Sequence, residues 1–216
     1  MDDDLYRMRF SLSDLENSQG AGTGFGVLRE KAARLPIQSR DPRVVETLVK
    51  TAAGGANADV SFVVAEVLLE SGDSHIVSRL IMELTARLHK KVSPGMVSLG
   101  DKIDRARRGE ESPSGEWLQR AERSYYAALK STAIWKGDLD RAYERLKDAL
   151  NRSAAKIDSD ALRAVAALED GPRAIEFVSK EGGEYGPRER GWGTRMLDCS
   201  PLRKLAEEEL DRRKAT

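Results

Sequence analysis

The chain has few of the residues on which several common kinds of site depend. Its single cysteine, Cys199, excludes an internal disulfide framework and a cysteine-rich zinc site. With two histidines, one chain cannot supply three histidine ligands to a catalytic metal. Aromatic residues are also scarce, at 6% of the 216 residues. We therefore expect neither a metal nor another cofactor.

The chain also lacks net charge and long apolar runs. Its 36 Lys and Arg residues balance 36 Asp and Glu residues, which argues against a general polyanion binder but leaves local basic patches open. No apolar run approaches the ~20 residues of a membrane-spanning helix. The first 25 residues are acidic and polar, unlike a signal peptide. We expect a cytoplasmic or otherwise intracellular protein that is not secreted by a cleavable signal peptide, with a virion-associated protein as the alternative.

Charge and helical periodicity are abundant by contrast. Charged residues make up 33% of the chain, and apolar residues recur every three or four positions, as in Ile76, Leu80 and Leu84. Turn signals such as Gly72-Asp73 and Gly137-Asp138 separate these stretches. We predict an all-α fold in which antiparallel helical hairpins form a compact bundle or a short solenoid.

Residues 59–70 are apolar nearly all round and rich in valine. A helix with apolar residues on every side belongs in the interior, so we predict a buried central helix. A buried strand is the alternative, because β-branched residues favour strands.

Composition divides the chain into four regions. Residues 1–26 are acidic and end in alternating glycines, which favours a flexible arm. Residues 27–180 carry the helical periodicity and are predicted to form an all-helical domain. Residues 181–199 are rich in glycine and arginine and are predicted to be a loop. Residues 200–216 are predicted to form a charged C-terminal helix that Ser200-Pro201 begins.

The stretch around residues 123–151 has the spacing of a helical hairpin. Tyr126 and Leu129 precede Gly137-Asp138, and Ala142 follows where only small side chains let two helices approach to ~8–9 Å. These residues resemble a tetratricopeptide repeat, although Lys130 stands where that family has a small residue. An ordinary amphipathic hairpin with a Gly-Asp turn has the same pattern. The resemblance implies a groove for a peptide segment, with four candidate partner-binding residues: Arg123, Tyr126, Lys130 and Arg141.

Residues 113–147 carry a second resemblance. Pro113, Leu118, Ala128-Leu129 and Asp140-Arg141-Ala142 are similar, with small gaps, to part of the helical domain of influenza-type viral matrix proteins. That resemblance implies a virion shell protein that self-associates between membrane and ribonucleoprotein.

Basic residues cluster in two places, with aromatic residues near the second. Arginine makes bidentate contacts to phosphate or carboxylate, and aromatic rings offer stacking surfaces. The candidates for contact with an anion or nucleic acid are Lys102, Arg105, Arg107, Arg108, Arg188, Arg190, Trp192 and Arg195. The alternative, favoured by the zero net charge, is a solvated face of salt bridges with nearby glutamates. Trp192, between two glycines, is either a plug against the domain or an interaction anchor.

No catalytic signature is found. The glycine-rich residues 20–26 lack the preceding strand and the Gly-Lys-Ser/Thr ending of a phosphate loop, so we interpret them as a linker. A nucleophilic Cys199 would need a base, and His75 and His89 lie more than one hundred residues upstream. Paired carboxylates such as Asp138 and Asp140 are typical of helix starts. We predict that the chain is not an enzyme.

These observations favour a non-catalytic helical module for protein interaction or self-assembly, which binds a peptide segment or copies of itself. A homo-oligomer is plausible on this hypothesis. The alternative is a viral structural protein of matrix or capsid type that oligomerises and contacts RNA or an anionic membrane. An enzyme with an unfamiliar site is the second alternative.

Overall fold

The computed structural model describes residues 2–18, 24–54, 57–178 and 190–215. It is predominantly helical, which confirms the predicted all-α class in its coarse form. The helices are α1 Asp2–Asn17, α2 Phe25–Ala32, α3 Pro42–Gly54, α4 Ala58–Glu70, α5 Ser74–His89, α6 Pro94–Arg107, α7 Gly115–Thr132, α8 Lys136–Ser153, α9 Ser159–Ala166 and α10 Ser200–Lys214. The strands are β1 Ile134–Trp135, β2 Gly171–Val178 and β3 Arg190–Leu197, and a short 3-10 helix spans Ala154–Lys156.

The chain divides into two units. Unit 1 comprises Met1–Leu88, Arg141–Leu168 and Pro201–Thr216, and unit 2 comprises His89–Asp140 and Glu169–Ser200. Unit 1 is built from helices, whereas unit 2 combines α6 and α7 with the three strands. The predicted region 27–180 therefore contains parts of both units, and β1 and β2 within it are not helical.

The helices of unit 1 begin where the sequence supplies caps. Asp41 accepts a hydrogen bond from the backbone N–H of Arg43 (2.9 Å), and Pro42 occupies the first position of α3. Asn57 accepts from the N–H of Asp59 (2.8 Å) at the start of α4. Gly72, at φ +65°, follows the end of α4, a conformation that favours glycine. Residues 59–70 are thus helical, and the strand alternative is wrong.

Residues Asp2–Asn17 form α1, which differs from the flexible arm predicted for residues 1–26. Met8, Leu12 and Leu15 of this helix are buried. Their spacing of four and three places them on one helical face, and burial of that face stabilises the helix despite its acidic start. The glycine-rich residues 19–23 lie outside the described residues.

The strands of unit 2 are the main departure from the predicted fold. The three strands form one sheet in the order β1-β2-β3, with β1 parallel and β3 antiparallel to β2. The loop predicted for residues 181–199 is wrong for Arg190–Leu197, which pair residue by residue with Gly171–Val178. Residues 179–189 lie outside the part of the chain that the structure describes.

Glycines in β3 explain why a strand forms where the composition indicates a loop. A Cβ at Gly191 would lie 2.7 Å from the Phe177 ring, and one at Gly193 would lie 3.2 Å from it. Phe177 belongs to β2, and its ring covers the backbone of β3 at Gly191 and Gly193, where β3 has no side chain. The Phe177 ring therefore supplies packing at the two positions where β3 has no side chain of its own.

Helices α6 and α7 pack against each other and α7 also packs on the sheet. A Cβ at Gly100 would lie 2.8 Å from the hydroxyl of Tyr125, so this glycine permits the close approach of the two helices. Helix α7 begins at Gly115, capped by Ser114, and ends at Thr132. The predicted break at Gly137-Asp138 is displaced, because both residues lie in the first turn of α8.

Candidate interaction surfaces

The predicted anion contacts of unit 2 are largely engaged within the chain. Five of the predicted arginines form ion pairs with carboxylates at the surface: Arg105–Glu111, Arg107–Glu122, Arg108–Glu110, Arg190–Glu176 and Arg195–Asp140. Lys102 is exposed and forms no ion pair within the described residues, and Arg188 lies outside those residues. This arrangement matches the alternative of a salt-bridged face, while the function of these residues stays a prediction.

Electrostatic coupling within these pairs is local. The hydrogen bond from Arg108 to Glu110 (2.6 Å) lowers the pKa of that carboxyl. Arg107 donates to the Tyr126 hydroxyl and to Glu122, each at 2.9 Å, and these bonds raise the pKa of Arg107. Each carboxylate therefore stabilises the charged arginine beside it, which leaves less positive potential for an external anion.

Three of the four predicted partner-binding residues share one face of α7. Arg123, Tyr126 and Lys130 are spaced three and four residues apart, which places them one turn from each other. The Arg107 guanidinium lies 5.9 Å from the centre of the Tyr126 ring, in the range of a cation–π contact. Arg141 belongs to unit 1, so the structure does not describe the four residues as one groove.

Trp192 lies against the apolar core of unit 2. That core contains Val92, Leu129 and Ala174, and Trp192 packs on it as a partly buried side chain. The ammonium of Lys130 lies 6.0 Å from the centre of the Trp192 ring. The plug interpretation describes this position better than the anchor interpretation does, because the side chain is partly buried against that core. Burial also raises the pKa of the neighbouring Tyr125, which hydrogen-bonds with Thr194.

Unit 1 presents aromatic side chains to solvent. Tyr6 and Phe10, one turn apart on α1, are 69% and 66% exposed. On α2 and α4, Phe25 and Phe62 are also exposed, and their ring centres lie 5.3 Å apart at an angle of 56°. Helix α2 packs against both α1 and α4. We call these four residues the aromatic surface of unit 1.

The aromatic surface was not among the sequence-predicted sites. The predicted flexible arm hid the signal, because Tyr6 and Phe10 lie within residues 1–26 and a helical face was not expected there. A helical wheel over residues 2–17 contains it: Met8, Leu12 and Leu15 define the buried face, and Tyr6 and Phe10 fall outside that face.

An open groove of about 480 Å³ lies between α3, α5 and α9 of unit 1. Val49 and the exposed Met82 supply apolar lining, and charged residues of both signs surround them. Lys50 donates to Glu46 (2.6 Å), which lowers the pKa of Glu46 and raises that of Lys50. These two charges of the groove lining therefore pair with each other.

Charged side chains also lie inside unit 1, and the sequence did not predict them. Arg145 is buried and donates to the carbonyl oxygens of Ala52 (2.6 Å) and Ala58 (3.3 Å), which joins α8 to the α3–α4 connection. Its position between Ala142 and Ala149 on the apolar stripe of α8 was the available signal. Buried arginines of this kind satisfy backbone carbonyls and stabilise the fold.

Glu209 of α10 is buried and accepts from Arg212 (2.6 Å) and Arg213 (3.0 Å). Arg213 also donates to the carbonyl oxygens of Ala154 (2.9 Å) and Ile157 (2.7 Å). Its guanidinium therefore donates to carbonyl oxygens around the short 3-10 helix, where the Ala154 oxygen also accepts from the backbone N–H of Ile157. This cluster is structural in every contact that is described.

Among the residues described, no group of three or more His, Cys, Asp or Glu side chains could hold a metal ion. In those same ranges no helix combines the length and apolar character needed to cross a membrane. The Cys199 side chain is buried, and its backbone N–H donates to Asp170 (2.7 Å).

Comparison of the chain with protein-family models, with curated proteins and with solved structures found no match in any of the three. The two resemblances in the sequence therefore stay predictions.

Proposed function

We propose that this chain is a non-catalytic protein-interaction module that binds an apolar segment of a partner protein at the aromatic surface of unit 1. The observation that carries the proposal is the exposure of Tyr6 and Phe10 on a helix whose opposite face is buried. Removing such rings from water is favourable, and no described contact within the chain does so.

The chemistry of the surface supports a protein partner over an anionic one. Aromatic residues are enriched in the cores of protein interfaces, and only 6% of the residues of this chain are aromatic. The arginines that would bind RNA or an anionic membrane are engaged with carboxylates in unit 2. The viral structural alternative, which needs those arginines, is therefore less well supported.

The pairing of the aromatic residues indicates the shape of the segment. Tyr6 and Phe10 are separated by one helical turn, and Phe25 and Phe62 form a second pair in ring contact. Two apolar pairs suit a segment with apolar side chains at helical spacing, as in amphipathic helices that bind helical surfaces.

The test is a peptide selection on the full-length chain. A random peptide library displayed on phage is selected against the chain, and the enriched peptides are measured by calorimetry. We expect peptides with spaced apolar residues, which bind with a negative heat-capacity change because apolar area is buried. Phe10→Ser and Phe62→Ser should each weaken binding about tenfold, the effect of ~1.4 kcal/mol.

Met82→Ser is the matched control, because Met82 is another exposed apolar residue of unit 1 but lines the groove between α3, α5 and α9. It should leave the affinity unchanged. Loss of binding in Met82→Ser with retention in both phenylalanine variants would place the site in the groove and contradict the proposal. Selection of purely acidic peptides, with binding that fades in salt, would contradict it as well.

A further inference from the structure

Strand β3 forms one edge of the sheet in unit 2. It pairs with β2 over its full length, from Arg190 to Leu197, and no other described strand pairs with its outer side. An edge of eight residues offers a row of backbone N–H and C=O groups that a further strand can bond. Edges of this kind bind added strands through main-chain hydrogen bonds, and side chains decide which strand fits.

Side chains in an antiparallel pair lie opposite residues on the same face of the sheet. The pairing of β3 with β2 places Arg190, Trp192, Thr194 and Met196 on one face, and Gly191, Gly193 and Arg195 on the other. Asp198 follows β3 directly, and continuation of the same alternation by one residue would place it on the first face. The first face thus begins with a cation and ends with an anion.

This order makes β3 complementary to itself. When a second copy of β3 runs antiparallel about Thr194, Arg190 lies opposite Asp198 and Trp192 lies opposite Met196. Opposite charges and a sulfur–aromatic pair both favour such neighbours. On the other face each glycine lies opposite a large side chain, Gly191 opposite Leu197 and Gly193 opposite Arg195. The two Thr194 hydroxyls meet at the centre.

Neighbouring registers lose this complementarity. A pairing about Gly193 places Arg190 opposite Met196 and Trp192 opposite Thr194, so no charge is paired. A pairing about Arg195 places that arginine opposite its own copy, and like charges directly opposite are destabilising. The register about Thr194 is therefore favoured by charge as well as by side-chain size.

Two of the side chains that this pairing uses, Met196 and Arg190, are well exposed, whereas Trp192 is partly buried and Thr194 hydrogen-bonds with Tyr125. Met196 is 70% exposed and the Arg190 side chain is 72% exposed, although Arg190 also lies 3.2 Å from Glu176 of its own chain. Asp198 accepts from the backbone N–H of Ser200 (2.9 Å) at the start of α10. A carboxylate accepts several donors, so this cap is compatible with a further bond to arginine.

We propose that two copies of this chain pair through antiparallel β3 strands centred on Thr194, which joins their two sheets across a two-fold axis. A second copy is the occupant that the strand fits, because its own sequence supplies the opposite charge and the apolar partner. This contact lies in unit 2 and is independent of the aromatic surface of unit 1.

Cysteine cross-linking tests the register directly. In Thr194→Cys the two thiols face each other at the axis, so a disulfide-linked dimer should form under mild oxidation. Met196→Cys is the matched control, since Met196 is also exposed and on the same face but lies opposite Trp192. The native Cys199 is buried, so the unaltered chain gives the background. Equal cross-linking of both variants, or none in Thr194→Cys, would overturn the proposal.

Charged substitutions of Thr194, which lies on the two-fold axis, provide a second test of the pairing. Light scattering of the full chain should give twice the monomer mass, and Thr194→Asp and Thr194→Lys should each return the monomer mass because like charges meet. An equal mixture of the two variants should restore the doubled mass. Restoration requires folded chains, so it separates loss of pairing from loss of folding. A monomer mass for the unaltered chain at all concentrations, or a mixture that stays monomeric, overturns the inference.

Discussion

In unit 1 the charged side chains of Arg145 and Glu209 lie in the interior, whereas Tyr6 and Phe10 of α1 lie in solvent. In unit 2 the arrangement is largely reversed. Arg105 and Arg108 lie at the surface beside carboxylates, and Trp192 packs on the apolar core. Among the described residues of unit 2, Arg173 is a buried charge: it is 1% exposed and donates to the carbonyl oxygens of Gly171 (3.0 Å) and Glu169 (2.9 Å).

The contrast separates two kinds of side chain. Charged side chains are solvated or find partners within the chain, whereas exposed aromatic rings remain in contact with water. An exposed arginine is solvated and paired at little cost, so its presence says little about function. A buried arginine needs every donor satisfied, and here backbone carbonyls provide the acceptors. An exposed phenylalanine can form neither an ion pair nor hydrogen bonds of this kind, so its contact with water is unfavourable. The aromatic surface of unit 1 is therefore the stronger indication of a partner.

The largest effect is expected from removing an interior charge of unit 1. Arg213→Ala deletes the bonds to the carbonyl oxygens of Ala154 and Ile157 and one partner of the buried Glu209. We expect the free energy of unfolding to fall by about 3 kcal/mol, because a buried charge and two acceptors lose a partner. Denaturant unfolding measures the change.

Arg163→Ala is the control for that experiment. Arg163 also belongs to unit 1 and pairs with Asp160 (2.6 Å), but both side chains are exposed. Its loss should cost less than about 0.5 kcal/mol. Equal costs for the two variants would show that interior and surface charges contribute alike and would remove the basis of the comparison.

The helical class could be predicted because periodicity and caps are local. Asp41 and Pro42 mark the start of α3, and the 3,4 spacing of Ile76, Leu80 and Leu84 marks α5, so each helix is encoded within its own segment. The strands could not be predicted in this way. Gly191 and Gly193 form a strand because of Phe177, more than ten residues earlier, and that contact exists only after the chain folds.

The same distinction applies to the candidate surfaces. The sequence identified Arg123, Tyr126 and Lys130 as one set, and their spacing on α7 is local information. Whether an arginine is paired depends on the fold: Arg195 pairs with Asp140, fifty-five residues away. The exposure of Tyr6 and Phe10 could not be predicted either, because it depends on which face of α1 the neighbouring helices cover.

An intermediate effect is expected at the close contact inside unit 2. Gly100→Ala gains helix propensity of ~1 kcal/mol but places a methyl group 2.8 Å from the Tyr125 hydroxyl. Overpacking of this kind costs ~1–3 kcal/mol, so the net destabilisation should be about 1 kcal/mol. The measurement is the unfolding free energy of the variant.

Gly95→Ala is the matched control, because it lies in the same helix and its Cβ would meet nothing within 4 Å. It should be neutral or stabilising. Tyr125→Leu should abolish the cost of Gly100→Ala in a double-mutant cycle. A cost that persists without the tyrosine ring would mean that the two helices are not limited by this contact.

A smaller effect is expected where a surface charge of unit 2 meets its buried aromatic residue. Lys130→Ala removes the ammonium that lies 6.0 Å from the Trp192 ring centre. Exposed cation–π contacts contribute ~0.5–1 kcal/mol, so we expect a loss near 0.5 kcal/mol. Arg123→Ala, on the same face of α7, should cost less. An equal cost for both would assign the effect to helix charge and not to the ring.

The smallest effect at neutral pH concerns the Asp41 cap of α3. The hydrogen bond from the Arg43 side chain lowers the pKa of Asp41, whose side chain is 5% exposed. The folded state therefore binds fewer protons than the unfolded state, and the stabilisation is present above the ordinary pKa of 3.8 and lost as the pH falls through the lowered pKa.

Asp41→Asn keeps the cap, since asparagine caps as well as aspartate, but cannot titrate. Its unfolding midpoint should lie slightly below that of the unaltered chain at neutral pH, fall less steeply in acid, and meet that of the unaltered chain once Asp41 is protonated. Glu110→Gln in unit 2 removes an exposed carboxyl whose pKa is also lowered, and solvent should screen its contribution. A flatter acid limb in Glu110→Gln than in Asp41→Asn would reverse the contrast between the enclosed charges of unit 1 and the surface pairs of unit 2.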